Sequence, residues 1–112
     1  MPGGETDPNL NTRPRRRIAQ RVRLEEPNCW LCGQPIDMAL DHQLDPMGST
    51  VDEIIPRSHG GSALDRENLA HCHRRCNAFR GVKAVTPELR DALRRHLAAV
   101  QQHPKRRRSR AW

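Results

Sequence analysis

Apolar residues are sparse along this chain, and they fall into a recognisable period at only a few places. Leu89, Leu93, Leu97 and Val100 recur at helical spacing with Ala92 and Ala99 beside them, which predicts a packing helix. Thr86 can cap it, Pro87 suits its first position, and Glu88 favours its positive end. Residues 50–55 are the most strand-like piece, ending on an Ile54-Ile55 pair that reads as buried and closed by Pro56. Residues 14–25 place Ile18, Val22 and Leu24 among arginines, a face wide enough only for a short basic helix ending before Pro27. A further helix is expected to begin around Leu69 or Ala70 and to stop at Gly81, a good residue just past a helix end. Between these elements CWLCG reads as a tight turn, residues 35–46 as an irregular loop, and SHGGS as a glycine-bearing turn. The expected organisation is a disordered N-terminal tail over residues 1–13, one domain over 14–103, and a low-complexity basic tail over 104–112.

Composition sharpens this picture. The chain has 112 residues, 35% of them hydrophobic, and Trp30, Phe79 and Trp112 are its aromatic residues. So lean a domain needs a metal, a disulfide or a partner to hold together. The first 20 residues are polar and arginine-rich, unlike a secretion leader, so Cys29, Cys32, Cys72 and Cys76 are expected to be reduced and metal-bound. No run approaches transmembrane length, and a cytoplasmic monomer that avoids membranes is expected. Charge is distributed unevenly. Residues 29–81 carry five arginines and seven acids, whereas the flanks carry fifteen bases and six acids. Basic arms around a slightly acidic centre suit a polyanion gripped at its edges. Arg57, Arg74, Arg75 and Arg80, with Lys105, Arg106, Arg107, Arg108 and Arg110 in the tail, are the candidate phosphate contacts.

Cys29-x-x-Cys32-Gly33 has the form of a zinc knuckle, two thiolates on one turn with a glycine beneath. Its complement is HCHRRCN about forty residues later. Three apart on a helix, His73 and Cys76 share a face, and Cys29, Cys32, His73 and Cys76 make the preferred tetrahedral set. Cys72, four residues before Cys76, gives a four-cysteine alternative; His71 points elsewhere. Either set joins the loop before the strand to the helix after it, so structural Zn²⁺ would supply much of the missing core.

The stretches CWLCG, VDEIIPRSHGG, DRENL and HRRCNAFRG, in that order, resemble the HNH endonuclease family, specifically its small zinc-containing phage and bacterial members. The resemblance implies a small α+β fold, a zinc-stabilised ββα-metal (HNH/His-Me finger) core with flanking helices. It also implies hydrolysis of DNA around a catalytic Mg²⁺, Mn²⁺ or similar divalent cation, with loose sequence preference and 5′-phosphate and 3′-hydroxyl products. On this pattern Asp52 and Asn77 hold the cation and Asn68 braces the loop between the strands. Glu53 departs from it, standing where the family usually has the histidine that activates water; His59 is the nearby imidazole that could substitute. A carboxylate is a weaker base than imidazole unless burial or a neighbouring charge raises its pKa. Asp52 and Glu53 are adjacent, so both can serve one centre only if the strand bends. Many small phage HNH proteins accompany a terminase, which implies a packaging partner. The alternative is a zinc module that binds DNA, or works beside a terminase, without cutting.

Overall fold

The computed structural model describes residues 12–101. Residues 1–11 and the basic tail with Lys105, Arg106, Arg107, Arg108, Arg110 and Trp112 lie outside the described residues. In chain order the elements are helix α1 (Arg13–Glu25), strand β1 (Ser49–Glu53), strand β2 (Leu69–His73), helix α2 (Arg74–Arg80) and helix α3 (Pro87–Gln101). Single 3₁₀ turns occupy Arg57–His59 and Arg66–Asn68. Together they form a small α+β fold, a two-stranded antiparallel hairpin with flanking helices. None of these helices is long and apolar enough to cross a membrane.

Thr12 caps α1 by accepting from the Arg15 amide at 3.3 Å, and Pro14 sits in the first turn. The helix lies against both strands and buries Val22. Its polar residues stitch it down. Arg23 Nε donates to Ser49 Oγ at 2.7 Å, and Arg15 donates to the Ala63 carbonyl at 3.1 Å. His71 Nδ1–H donates to the Glu26 carbonyl at 2.6 Å, which leaves Nε2 to accept from Ser49 Oγ at 2.7 Å.

The hairpin differs from the sequence expectation in two ways. The helix expected from Leu69 or Ala70 is instead β2 followed by α2, with the register running from Ser49↔His73 to Glu53↔Leu69. All five residues of β2 are buried. Residues of α1 cover one face, β1 pairs with one edge, and the other edge is met by the Glu26 carboxylate on the His71 amide and by the Trp30 amide on the His71 carbonyl. Tertiary pairing therefore overrides the local helical reading. The start of α2 inherits the same ladder: its Arg74 and Arg75 amides, orphaned as helix starts are, donate to the Gly48 and Pro46 carbonyls at 2.9 and 2.7 Å. Gly81 ends the helix as expected.

The second difference lies at the end of β1. The strand stops at Glu53, and Ile54 and Ile55 are exposed, where a buried pair was expected. Asn68 takes over the chain there. Its side-chain Oδ1 accepts from the Ile55 amide at 2.8 Å, and its Nδ2 donates to the Ile55 and Ser62 carbonyls at 3.0 and 2.9 Å. The carboxamide ties both ends of the inter-strand loop, and the loop crosses itself so tightly that only glycine fits at position 61. A Cβ there would collide with the Ile55 carbonyl.

Helix α3 begins as the sequence predicts, with Thr86 Oγ1 accepting from the Leu89 amide at 3.1 Å. It buries Leu93 in a core otherwise made of Cys29, Leu31, Cys32, Ile36, Cys72 and Cys76, with Trp30, Phe79, Val85 and Leu97 packed around it. Phe79 stacks on His96 with ring centres 5.1 Å apart.

The crossing at Gly61 yields a test of the loop. Gly61→Ala should cost about 1–3 kcal/mol through the forced backbone shift, measured by urea denaturation of the zinc-loaded protein. Gly60→Asn, at a left-handed position with open space around it, should cost a fraction of that.

Candidate metal centre and active site

The metal-ligating groups come from the 27–36 turn and from the junction of β2 and α2. Residues 27–36 fold back on themselves: the Ile36 amide donates to the Pro27 carbonyl at 3.0 Å and the Gly33 amide to Cys29 at 2.8 Å. The Leu31 and Cys32 amides point at Cys29 Sγ from 3.4 and 3.5 Å. Across from this knuckle, His73 closes β2 and Cys76 lies in the first turn of α2. The ligand atoms of Cys29, Cys32, His73 and Cys76 all lie within 4.8 Å of one another, and all four residues are buried. His73 Nε2–H donates to the Pro35 carbonyl at 3.1 Å, so the lone pair of Nδ1 faces Cys32 Sγ and Cys76 Sγ at 3.5 and 3.6 Å.

Charge on the Cys29 and Cys32 sulfurs draws positive charge toward them and raises the pKa of both His73 and Cys76, so a metal ion would bind in competition with protons. Hydrogen bonds from Cys32 and Cys76 hold the Cys29 thiol well below its ordinary range, against the cost of burial. Burial disfavours a charged His73, yet Cys29 and Cys32 outweigh it and push its pKa up to about 10. Thiolates and an imidazole clustered at this spacing fit Zn²⁺. Cys72 does not join them. It is fully buried in the core, and desolvation raises its pKa. His73 thus serves from the junction of strand and helix, whereas the sequence reading had placed it within the helix.

Asp52 and Glu53 diverge, because the strand stays regular through both. Asp52 turns toward the knuckle and α2. Its Oδ2 accepts from Arg80 at 2.9 Å and from the Trp30 indole at 3.3 Å. Burial raises the pKa of Asp52, with Arg80 acting against it. Glu53 leaves the other face, within the field of Arg15 on α1, and its Oε1 accepts from Arg57 Nε of the following 3₁₀ turn at 3.2 Å. Burial also raises the pKa of Glu53; the Arg15 charge opposes this and Asp52 adds to it.

Arg80, expected to meet phosphate, is turned inward. Besides Asp52 it donates to the Glu53, Ile54 and Lys83 carbonyls at 2.7–2.8 Å, and its side chain is 3% exposed. A buried guanidinium with four of its five N–H donors already engaged is poorly placed to meet DNA. Arg74 is exposed and Arg75 half-buried, lining a cleft of about 830 Å³ between α3 and the 34–47 loop. His59 is exposed in its 3₁₀ turn. Asn77 is half-buried on α2, one turn before Arg80 and so on the same flank of the helix. The role of Trp30 had no sequence signal beyond its place between two ligands.

Residues 29–82 match the HNH endonuclease family. This segment, just under half of the chain, is similar to an HNH endonuclease domain. The match classes it with enzymes that hydrolyse phosphodiester bonds, and the HNH domain carries the Cys₃His cluster within it. A stretch of 63 residues is 40% identical to the CRISPR-associated endonuclease Cas9 of Corynebacterium diphtheriae, covering 55% of this chain and 5% of that protein. No solved structure matches.

Two measurements check this site. Metal analysis should find one zinc per chain, retained in Cys72→Ala and lost in Cys32→Ala along with the folded state. Arg80→Met should destabilise the domain by about 3–5 kcal/mol in urea, because it strands a buried carboxylate and three carbonyls.

Proposed function

We propose that the protein is a metal-dependent nuclease acting on the DNA backbone. What supports this reading best is the Asp52 carboxylate held by Arg80, which lies one turn along α2 from Asn77, with the adjoining loop tied by Asn68, inside the segment that matches the HNH endonucleases. Asp52 and Asn77 offer hard oxygen ligands of the kind Mg²⁺ and Mn²⁺ take, with Asp52 binding through Oδ1 because Oδ2 is engaged. Such a cation, when bound, would stabilise charge on the phosphate and on the departing 3′ oxygen.

Arg80 and Trp30 fix the rotamer of Asp52, and Asn68 fixes the path of the chain just beyond it. Glu53 is the proposed base. It ends β1, and the bend that would bring both acids to one centre is absent, so for Asp52 and Glu53 to act on one phosphate the strand end would have to turn as DNA binds. Water loses a proton to Glu53 as its oxygen attacks phosphorus. The bond to the 3′ oxygen breaks, leaving 5′-phosphate and 3′-hydroxyl ends. Burial keeps the Glu53 pKa above the ordinary carboxylate value, which makes it a better proton acceptor near neutrality. Contacts would be made chiefly to the backbone, giving loose sequence preference. A place beside a phage terminase is carried by the family resemblance alone.

A second reading, a zinc module that binds DNA without cutting it, is favoured by the pairing of Glu53 with Arg57. Plasmid incubated with Mg²⁺ or Mn²⁺, against an EDTA control, separates the two: intact plasmid under every condition would leave only the binding module. Under the nuclease reading, Glu53→Gln should cut roughly 10²–10⁴ times more slowly while retaining zinc. Glu53 works deprotonated and its pKa is raised, so in the parent the rate should fall on acidification along a limb above pH 4.5, the ordinary glutamate value. That limb should vanish in Glu53→Gln.

A further inference from the structure

Helix α1 is built against its own electrostatics. Arg13, Arg17 and Arg21 recur every fourth residue along its outer face, opposite the buried Val22, and all three are exposed. Like charges at this spacing repel one another. The first turn holds no acid to offset them, at an end of the helix that is already positive. Arg21 meets Glu25 at 3.6 Å, but both partners are open to solvent and the pair is weak. The inner arginines are employed differently: Arg15 and Arg23 fasten the helix to the Ala63 carbonyl and to Ser49. Arginines that repel one another and remain in solvent are explained by a polyanion that neutralises them.

The helix is also aimed. Arg23 is tied to Ser49, the first residue of β1, and Arg15 to Ala63, in the loop beyond Glu53, the last. The N-terminal half of α1 therefore lies at the end of the hairpin where the proposed base stands, near enough for the Arg15 charge to act on Glu53. A lipid surface fits this face poorly. The apolar side of α1 is already packed on the hairpin, and the outer side offers lipid little besides Leu24. Duplex DNA fits it well. From Arg13 to Arg21 the helix rises about 12 Å, a length over which a duplex carries about seven phosphates. We propose that the outer face of α1, through Arg13, Arg17 and Arg21, binds the backbone of duplex DNA and extends the substrate track beyond residues 29–82. This surface rests on the nuclease reading for its substrate and concerns binding, so the two can fail separately.

The test uses the full chain loaded with zinc and a short fluorescent DNA duplex without added divalent cation, titrated across a salt series. The triple variant Arg13→Gln, Arg17→Gln, Arg21→Gln keeps good helix formers at all three positions. It should bind roughly tenfold or more weakly, and the slope of log K against log salt should fall by about 2–3, or about 0.9 for each lost phosphate contact. Its zinc content should match the parent's, and its thermal midpoint should equal or exceed the parent's, because the repulsion along α1 is gone. The corresponding triple lysine variant should keep the parental slope, since it keeps the charge. A parental slope in the folded glutamine variant would overturn the proposal. If that variant at the same time lost binding to vesicles of anionic phospholipid, the face would belong to a membrane instead. The unmutated protein offers a measurement independent of how the variants fold. An arginine-specific dicarbonyl reagent, read by mass spectrometry, should modify Arg13, Arg17 and Arg21 in the free protein and lose access to them when duplex is bound. Undiminished modification in the complex would also overturn the proposal. Protection and slope loss in a protein that never cuts plasmid would uphold the α1 surface while sinking the nuclease reading.

Discussion

The convergence of three thiol groups and one imidazole on a single point is the constraint from which the rest of this molecule follows. A domain with this few large apolar side chains cannot close around hydrocarbon alone. Three of the ligands, Cys29, Cys32 and Cys76, are themselves part of its core, packed with Leu31, Ile36, Cys72 and Leu93. A structural zinc contributes on the order of 10 kcal/mol to folding, enough to offset much of the ordering entropy that so small a core leaves uncovered. The cluster also sets geometry. It draws the 27–36 turn against the junction of β2 and α2, and so brings Trp30 to Asp52.

From that junction outward, the fold is arranged by polar groups that satisfy one another. Arg80 closes the gap between α2 and the end of β1 with four hydrogen bonds. Asn68 closes the loop with three. Glu26, Ser49, His71 and Arg23 form a continuous chain that fastens α1 to the hairpin. Each is costly to break because its partners are buried and would be left unpaired. Together they give a small domain a defined shape where apolar packing is thin. They also commit side chains that sequence reasoning would have assigned to DNA.

Function depends on this division of labour. Asp52 is fixed by a guanidinium and an indole, while Glu53 is left partly accessible at the strand end with a raised pKa. The first suits a positioning ligand and the second a proton acceptor.

Spacing narrowed the candidate zinc site to two ligand sets, one through His73 and one through Cys72, and the folded chain clusters the preferred set through His73. The cap at Thr86 and the stop at Gly81 were legible as well, because they depend on neighbours along the chain. Residues 69–73 were not legible as a strand. Leu-Ala-His-Cys-His has no alternation, and its conformation is settled by a β1 partner some twenty residues away and by the Glu26 and Trp30 contacts on its other edge. The inward turn of Arg80 and the exposure of Ile54 and Ile55 had no local signal either. Whether an arginine meets solvent or a buried carboxylate, and whether an isoleucine is covered, depends on which surface the rest of the chain brings to it. That is decided by tertiary packing, where the desolvation of a charge is balanced against partners distant in sequence.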